Sequence, residues 1–243
     1  MIVTVTDLKK SYGQLEAVKG ISFTINRGDF FGFLGPNGAG KTTVMRIISC
    51  FFPPTHGSVM VLGLDVTERP SEVKSRIGVV AQDNNLDPDF SVMENLTVYA
   101  AYYGISRKLA KDKALELLEF VDLSGRKKDR IQSLSGGMLR RLQIARSLVN
   151  SPEFLILDEP TTGLDPHSRH ALWEKLQSLR EKTNITVLIS THYMEEAEKL
   201  CDRVAIMDMG RLVTVDSPKN LTTKHGGTLE GVYLKLTGKP LNS

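Results

Sequence analysis

The sequence lacks any long hydrophobic run. Its most apolar segments, such as Phe154 to Leu157 and Val187 to Ile189, are only a few residues long, whereas a membrane-spanning helix needs about 18 consecutive apolar residues. The first residues alternate as a β-strand does and show no basic stretch followed by an apolar one, so no secretory signal is expected. These absences predict a folded domain with no bilayer span of its own.

Cysteine is scarce, and no charge of one sign dominates. The two cysteines, Cys50 and Cys201, are far apart and have apolar neighbours. This favours reduced, buried thiols over metal or redox sites and indicates a cytoplasmic compartment. The chain has 31 basic and 28 acidic side chains, a net charge of +3. It lacks the strongly basic surface that nucleic-acid-binding proteins usually have, so no nucleic-acid partner is expected.

Short apolar strands separated by helical or polar stretches are present instead. Uniformly apolar strands are typical of a parallel sheet covered on both faces, and alternating segments at 2–6 and 21–27 indicate a separate antiparallel layer. Residues 83–150 have helical spacing. The predicted fold class is α/β, with an N-terminal antiparallel β layer and an inserted α-helical subdomain. The uniformly apolar strands are 30–34, 77–81, 154–157, 186–190 and 203–207.

A glycine-rich loop follows the apolar strand that ends at Leu34. Residues 35–42 read Gly-Pro-Asn-Gly-Ala-Gly-Lys-Thr and match G-x-x-x-x-G-K-[ST] at every fixed position. Glycines let backbone amides curl around a phosphate, while Lys41 can reach the β- and γ-phosphate oxygens and Thr42 can bind Mg²⁺. The sequence therefore predicts ATP and Mg²⁺ as cofactors. The predicted ATP contacts in the loop are Gly35, Asn37, Gly38, Ala39, Gly40, Lys41, Thr42 and Thr43.

Two adjacent carboxylates end the apolar strand 154–157. Asp158 is placed to hold Mg²⁺ through its water shell, and Glu159 could act as the general base that polarises the water attacking the γ-phosphate. A solvated turn after a strand would explain these acids on their own. It explains them poorly in a chain that also carries a phosphate loop.

Two more strands lead into polar side chains that suit the same site. Gln82 follows strand 77–81, and His192 follows strand 186–190. In open α/β sheets, ligands bind beyond the carboxyl ends of the strands. Gln82 could bind Mg²⁺ or the attacking water, and His192 could hydrogen-bond the γ-phosphate. Glu159, His192 and Gln82 are therefore the predicted catalytic residues, and Thr42, Gln82 and Asp158 the predicted Mg²⁺ ligands.

The segment Leu134-Ser135-Gly136-Gly137-Met138 opens a predicted helix. A serine and two glycine amides at a helix N-terminus offer donors to a phosphate without obstruction. This segment resembles the signature motif of ATP-binding-cassette (ABC) ATPases, and the other motifs stand in that family's order over nearly the whole chain. The resemblance implies a P-loop NTPase core with the ABC ATPase fold.

The resemblance also assigns roles to single residues. It implies that Tyr12 stacks on adenine, that Gln82 belongs to the Q-loop, that Asp165 serves dimer communication in the D-loop and that His192 is the switch histidine. It further implies that Ser135, Gly136 and Gly137 reach the ATP of the opposite subunit in a homodimer or heterodimer of cassettes. Met138 and Ala81 depart from the more usual glutamine and proline.

The predicted organisation is one ABC nucleotide-binding domain with a short tail. The domain covers 1–226, with its core at 1–82 and 151–226 and the helical subdomain at 83–150, and the C-terminal segment covers 227–243. Within that segment, 229–238 is similar to the closing part of drug-resistance-type exporter ATPases of the ABC-2 class. An amphipathic helix that closes the core is the plainer alternative.

The function implied is an ATP-hydrolysing subunit that powers transport, in the export direction, through a separate transmembrane permease. Such a chain would be cytoplasmic and peripheral on the inner face of the cell membrane. Residues 82–103 would face the permease, with an apolar patch of Phe90, Val92, Tyr99, Tyr102 and Tyr103. Packing of the helices in the core explains several of these residues equally well.

Two other classes of protein are alternatives. A soluble ABC ATPase of DNA or translation processes would carry a long coiled coil or a second cassette, and this sequence has neither. The basic runs 126–128 and 140–141 are interpreted as solvated faces. A P-loop kinase would leave the signature motif and His192 without a role.

Overall fold

Residues 1–238, the part of the chain that this computed structural model describes, form strands and helices in a mixed order. Residues 239–243 of the predicted C-terminal segment lie outside the described residues. In chain order the elements are β1 (Val3–Tyr12), β2 (Leu15–Ile25), β3 (Phe30–Leu34), α1 (Lys41–Ile48), β4 (His56–Val61), β5 (Leu64–Asp65), α2 (Pro70–Arg76), β6 (Ile77–Val80), α3 (Val92–Ala101), α4 (Arg107–Phe120), α5 (Gly136–Ser147), β7 (Phe154–Asp158), α6 (Pro166–Thr183), β8 (Thr186–Thr191), α7 (Met194–Leu200), β9 (Arg203–Asp208), β10 (Arg211–Asp216), α8 (Pro218–His225) and α9 (Leu229–Thr237).

A six-stranded sheet in the order β10-β9-β3-β8-β7-β6 forms the centre of the molecule. The five strands β9, β3, β8, β7 and β6 are parallel. At one edge of the sheet, β10 pairs antiparallel with β9. Every residue of β3, β7 and β8 is buried, because helices or a second sheet cover both faces. The predicted α/β core and its parallel strands are confirmed.

An antiparallel sheet in the order β2-β1-β4-β5 forms a second layer. The sequence pattern predicted β1 and β2 as this separate layer but did not identify β4 and β5. Phe31 and Phe33 of β3 point toward it, and the ring of Phe23 on β2 stacks on Phe31 with centroids 5.8 Å apart. Phe30 and Leu34 point to the opposite face, toward the helices. Strand β3 therefore belongs to both hydrophobic cores.

The helices α3, α4 and α5 occupy the stretch that was predicted to be helical. Their apolar residues, such as Leu96, Leu118 and Leu142, join the same hydrophobic core as β7 and β8. Helix α3 begins with a reciprocal cap between Ser91 and Glu94. The division at 83 and 150 stays a prediction, since the two parts share one core.

Val92 corrects part of the predicted permease patch. It is the first residue of α3 and is fully buried, because its side chain packs in the hydrophobic core that the helices share with β7 and β8. It cannot contribute to an exposed patch. Tyr102, in contrast, is 82% exposed.

The C-terminal helices close the side of the core. The β9–β10 connection turns at Met209 and Gly210, which both have positive φ, as a two-residue hairpin requires. Helix α8 starts after Ser217, whose side chain caps it, and α9 buries Leu229, Val232 and Tyr233 against the same core. Within residues 1–238, no helix combines the length and the apolar character needed to cross a membrane.

Close packing between β6 and α5 generates a stability prediction. A Cβ atom on Gly78 would lie 2.3 Å from the carbonyl oxygen of Ser147, so either the strand or the helix would have to move. Gly78→Ala should destabilise the fold by about 1–3 kcal/mol, measured as a lower urea midpoint. Gly125→Ala is the control because a Cβ atom there meets nothing within 4 Å. Equal stability of the two variants would contradict the close packing.

Candidate functional site

The phosphate loop connects β3 to α1 and needs its glycines. Gly38 and Gly40 have φ values of 80° and 100°, which side-chain-bearing residues rarely adopt. A Cβ atom on Gly40 would lie 2.8 Å from the carbonyl oxygen of Ala17, and one on Gly35 would lie 2.3 Å from that of Met207. Asn37 and Ala39 lie in the same loop, and Thr43 lies in the first turn of α1. The first amides of α1 are thus directed into the loop, as at anion-binding helix ends.

Lys41 begins α1 and is 4% exposed. Its Nζ donates to the carbonyl oxygens of Gly35 at 2.7 Å and Pro36 at 3.0 Å. It also lies 3.7 Å from Oε1 of Glu159. Burial lowers the pKa of the ammonium, and the neighbouring carboxylates of Glu159 and Asp158 counteract part of that effect. The predicted phosphate-binding lysine and the predicted base are therefore in contact.

Asp158 and Thr42, two predicted Mg²⁺ ligands, also lie together. The Thr42 hydroxyl donates to Oδ1 of Asp158 at 3.2 Å, and the Ser190 hydroxyl donates to the same oxygen at 2.5 Å. Magnesium prefers hard oxygen ligands and takes only one or two carboxylates besides phosphates and water. Residues 1–238 contain no cluster of three His, Cys, Asp or Glu side chains that could hold a metal. The Thr42 hydroxyl and the Asp158 carboxylate are oxygen donors of the kind that Mg²⁺ prefers, and their role as Mg²⁺ ligands stays a prediction.

Glu159 lies at the middle of the site and is 5% exposed. Its backbone has a φ of 45°, a left-handed conformation that stores about 1–3 kcal/mol of strain. Its amide donates to the Ser190 hydroxyl at 3.0 Å, and its Oε2 accepts from the Thr162 hydroxyl at 3.1 Å. This turn directs the carboxylate back toward the phosphate loop.

His192 follows β8 and faces the same carboxylate. Its Nδ1 lies 3.5 Å from Oε2 of Glu159. This nitrogen is buried and has no hydrogen-bond partner within the described chain. A buried polar atom without a partner is unusual in a folded protein, so His192 retains hydrogen-bonding capacity at the site.

Gln82 and Tyr12 lie at the periphery. Gln82 is exposed in the loop after β6. Tyr12 ends β1 on the antiparallel sheet, where its ring packs edge-on against Phe52 with centroids 6.2 Å apart and stays 42% exposed. The role of Gln82 in binding Mg²⁺ or the attacking water stays a prediction. The stacking of Tyr12 on adenine also stays a prediction.

The signature segment lies at the start of α5. Ser135 caps this 12-residue helix and accepts from the Met138 amide at 3.3 Å. Ser135 and Gly136 are exposed, and a Cβ atom on Gly136 would meet nothing within 4 Å. A Cβ atom on Gly137 would lie 2.8 Å from the Ser168 hydroxyl. The segment therefore presents an open helix N-terminus beside α6.

Asp165 caps α6. Its carboxylate accepts from the amide and the hydroxyl of Ser168 at 3.0 and 2.6 Å, and these hydrogen bonds lower its pKa. Ser168 is the residue that Gly137 approaches. The structure thus places the predicted D-loop beside the signature segment, and its role in dimer communication stays a prediction.

Sequence reasoning missed Ser190 and misplaced Arg140. Arg140, predicted to lie on a solvated face, is 7% exposed and donates to the backbone carbonyls of Asp158, Glu159 and Pro160. Its polarity made it resemble a surface residue. The available signal was its spacing on α5, because it lies one helical turn before the buried Ile144.

The chain is similar to known proteins over most of its length. A family model described as ABC transporter matches residues 18–162. The Nod factor export ATP-binding protein I of Rhizobium sp. (strain N33) is 45% identical over 225 residues, which are 93% of this chain and 74% of that protein.

Solved structures agree in fold. A dimeric ATP-binding cassette in a post-hydrolysis state bound to ADP and Pi is 28% identical, with a TM-score of 0.81 over 88% of this chain and 98% of that one. The structure of cbiO1 from Clostridium perfringens, part of the ABC transporter complex cbiONQ, is 29% identical, with a TM-score of 0.84 over 92% of this chain and 91% of that one.

Removing the loop lysine should weaken nucleotide binding. Lys41→Ala deletes the principal cation for the phosphates, and a charge-assisted hydrogen bond of this kind contributes about 1.5–3 kcal/mol. We expect ATP binding to weaken at least about tenfold by calorimetry. The exposed Lys182→Ala is the control, and unchanged ATP affinity of Lys41→Ala would contradict this role.

Neutralising the predicted base should separate binding from hydrolysis. Glu159→Gln should still bind ATP and, with less repulsion of the phosphates, should accumulate as an ATP-bound dimer, while kcat falls about a hundredfold or more. Glu153→Gln is the control, because Glu153 lies before the opposite end of β7 and pairs with Arg27 and Arg76. Rapid turnover by Glu159→Gln would exclude Glu159 as the base.

Proposed function

Since the chain belongs to the family of ABC transporter ATP-binding subunits and is an ATPase, we propose that it hydrolyses MgATP at the carboxyl edge of its parallel sheet. The observation that carries this proposal is the position of Glu159, which lies between Lys41 at 3.7 Å and His192 at 3.5 Å. A carboxylate held between a phosphate-binding cation and an imidazole suits activation of water at a γ-phosphate.

The other side chains divide the remaining tasks. Lys41 and the amides at the start of α1 would bind the β- and γ-phosphates, and Thr42 and Asp158, which are hydrogen-bonded to each other, would hold Mg²⁺, directly or through water. When bound, Mg²⁺ supplies charge that offsets the phosphate oxygens in the transition state. His192 would donate to the γ-phosphate, and Gln82 would bind the metal or the attacking water. Glu159 accepts the proton of the water as its oxygen attacks phosphorus.

A second cassette completes the site in this proposal. Ser135 and Gly136 are exposed at the N-terminus of α5, where helix dipole and amide groups favour an anion. The related cassette bound to ADP and Pi is dimeric. We therefore infer a head-to-tail dimer in which Ser135, Gly136 and Gly137 of one copy contact the γ-phosphate held by the other.

The coupling partner is a separate membrane permease. The family and the related cbiO1, which is part of a transporter complex, support this proposal. The chain would lie on the cytoplasmic face of the membrane, with exposed aromatic residues such as Tyr102 in 82–103 available for contact. We propose export as the direction, because the curated relative is an export protein and 229–238 resembles the closing segment of exporter ATPases.

Ser135→Arg tests the shared site. The bulky cation should block the signature of one copy while leaving ATP binding at its own phosphate loop, so hydrolysis should be lost although ATP affinity is retained. Wild-type activity per molecule should rise with protein concentration, because the active species is a dimer. Ser133→Arg, two residues earlier and also exposed, is the control.

A mixture of two inactive variants makes this test sharper. Combining Ser135→Arg with Glu159→Gln creates heterodimers in which one site keeps an intact Glu159 from one copy and an intact Ser135 from the other. Hydrolysis should therefore return on mixing. Activity of Ser135→Arg alone at the wild-type level, or hydrolysis by a strict monomer, would refute the shared site.

A further inference from the structure

Arg140, a buried arginine on α5, has no role in the reaction proposed above, yet it makes several hydrogen bonds close to Glu159. The guanidinium of Arg140 is a planar fork with five N–H donors, and all five are used. Within residues 1–238 its partners are four backbone carbonyls and one side-chain amide. Nε donates to Pro160 at 2.8 Å, Nη2 to Asp158 at 3.0 Å and Glu159 at 2.7 Å, and Nη1 to Ala81 at 2.7 Å and to Oε1 of Gln143 at 2.8 Å.

Three of these carbonyls belong to consecutive residues, 158–160. That turn carries the Glu159 carboxylate and contains the strained φ of 45°. A strained backbone persists only where the surrounding contacts hold it in place. Arg140 provides such contacts to the carbonyls of the turn, and the Ser190 hydroxyl accepts from the Glu159 amide.

The fourth carbonyl is that of Ala81, directly before Gln82. Strands β6 and β7 are parallel neighbours, with Val80 paired to Leu157, so the loops that follow them leave the sheet side by side. One guanidinium therefore joins the Gln82 loop and the Glu159 turn to the helix whose first residues form the signature segment.

We propose that Arg140 is a positioning residue for hydrolysis, which fixes the Glu159 turn and sets the direction of its carboxylate toward the attacking water. This inference rests on the proposed role of Glu159 as the base. Arg140 does not contact the phosphate loop in the hydrogen bonds described above, so it acts on the rate of the chemical step through Glu159 and leaves nucleotide affinity nearly unchanged.

Arg146 provides a matched control on the same helix. It is 9% exposed, donates to the Asn85 carbonyl at 2.7 Å and stacks on the Tyr99 ring at 4.8 Å. Loss of its guanidinium also removes a buried arginine from α5 and releases the loop after Gln82. It leaves the contacts to residues 158–160 intact.

The first experiment compares kcat, KM and thermal stability for Arg140→Met and Arg146→Met in the full chain. Small misplacement of a catalytic group lowers rates by about a hundredfold, so Arg140→Met should lower kcat at least about tenfold with KM for ATP within about twofold. Arg146→Met should keep kcat per folded molecule within about threefold of wild type. Equal loss of kcat in both variants, or a rise in KM alone for Arg140→Met, would overturn the proposal.

The second experiment places Arg140→Met in the Glu159→Gln background. If Arg140 acts through the carboxylate, its removal should lower the residual rate no more than about twofold there, because interacting residues give non-additive effects. Multiplicative losses would show that Arg140 acts independently of Glu159, which would overturn the proposal. A Glu159→Gln variant with wild-type turnover would instead refute the proposed base itself, so the two failures are distinguishable.

A conservative variant covers the case in which Arg140→Met does not fold. Arg140→Lys keeps the buried cation and three donors but loses the planar fork, so it should remain folded and bind ATP normally. Its kcat should lie between the values for wild type and Glu159→Gln. Wild-type kcat for Arg140→Lys would show that the fork contacts do not position Glu159.

Discussion

Parallel pairing of β3, β8 and β7 is the constraint on which the site depends. Leu34 pairs with Thr191, and Asp158 pairs with Ser190, so backbone hydrogen bonds fix the ends of the three strands at one edge of the sheet. The phosphate loop, His192 and Glu159 are the next residues along these strands. Because the strands are buried on both faces, their relative positions are rigid, as a reaction that relies on preorganised charges requires.

The site concentrates buried charge, and that charge is balanced locally. Lys41, Asp158, Glu159 and Arg140 are each less than one-tenth exposed. Isolated ions in such surroundings would be strongly unfavourable, and each is stable only because opposite charges or hydrogen-bond donors surround it. Ser190 is central to this balance, since its hydroxyl donates to Asp158 and accepts from the Glu159 amide. A bound nucleotide adds negative charge at the Lys41 end, where the ammonium otherwise bonds to loop carbonyls.

Much of this arrangement could be predicted from the sequence, because its signals are local. Uniformly apolar strands indicated the parallel sheet, and the loop before Lys41 and the acids after strand 154–157 indicated the chemistry. What could not be predicted depends on tertiary contacts. Arg140 has the polarity of a surface residue, yet the carbonyls of the 158–160 turn satisfy it inside the protein. Val92 is apolar and near an expected docking region, yet it packs in the hydrophobic core directly after the cap at Ser91.

Helix α5 links two sites in the proposed dimer. Its N-terminus offers Ser135 and Gly136 to the nucleotide of the other copy, and one turn later Arg140 holds the turn that carries this copy's own Glu159. A rigid 12-residue helix cannot move at one point without moving at the other. When the signature of one copy docks on the γ-phosphate held by the other copy, the position of the first copy's own Glu159 would therefore change. Hydrolysis in one copy would then depend on nucleotide binding in both, with the buried guanidinium as the connection.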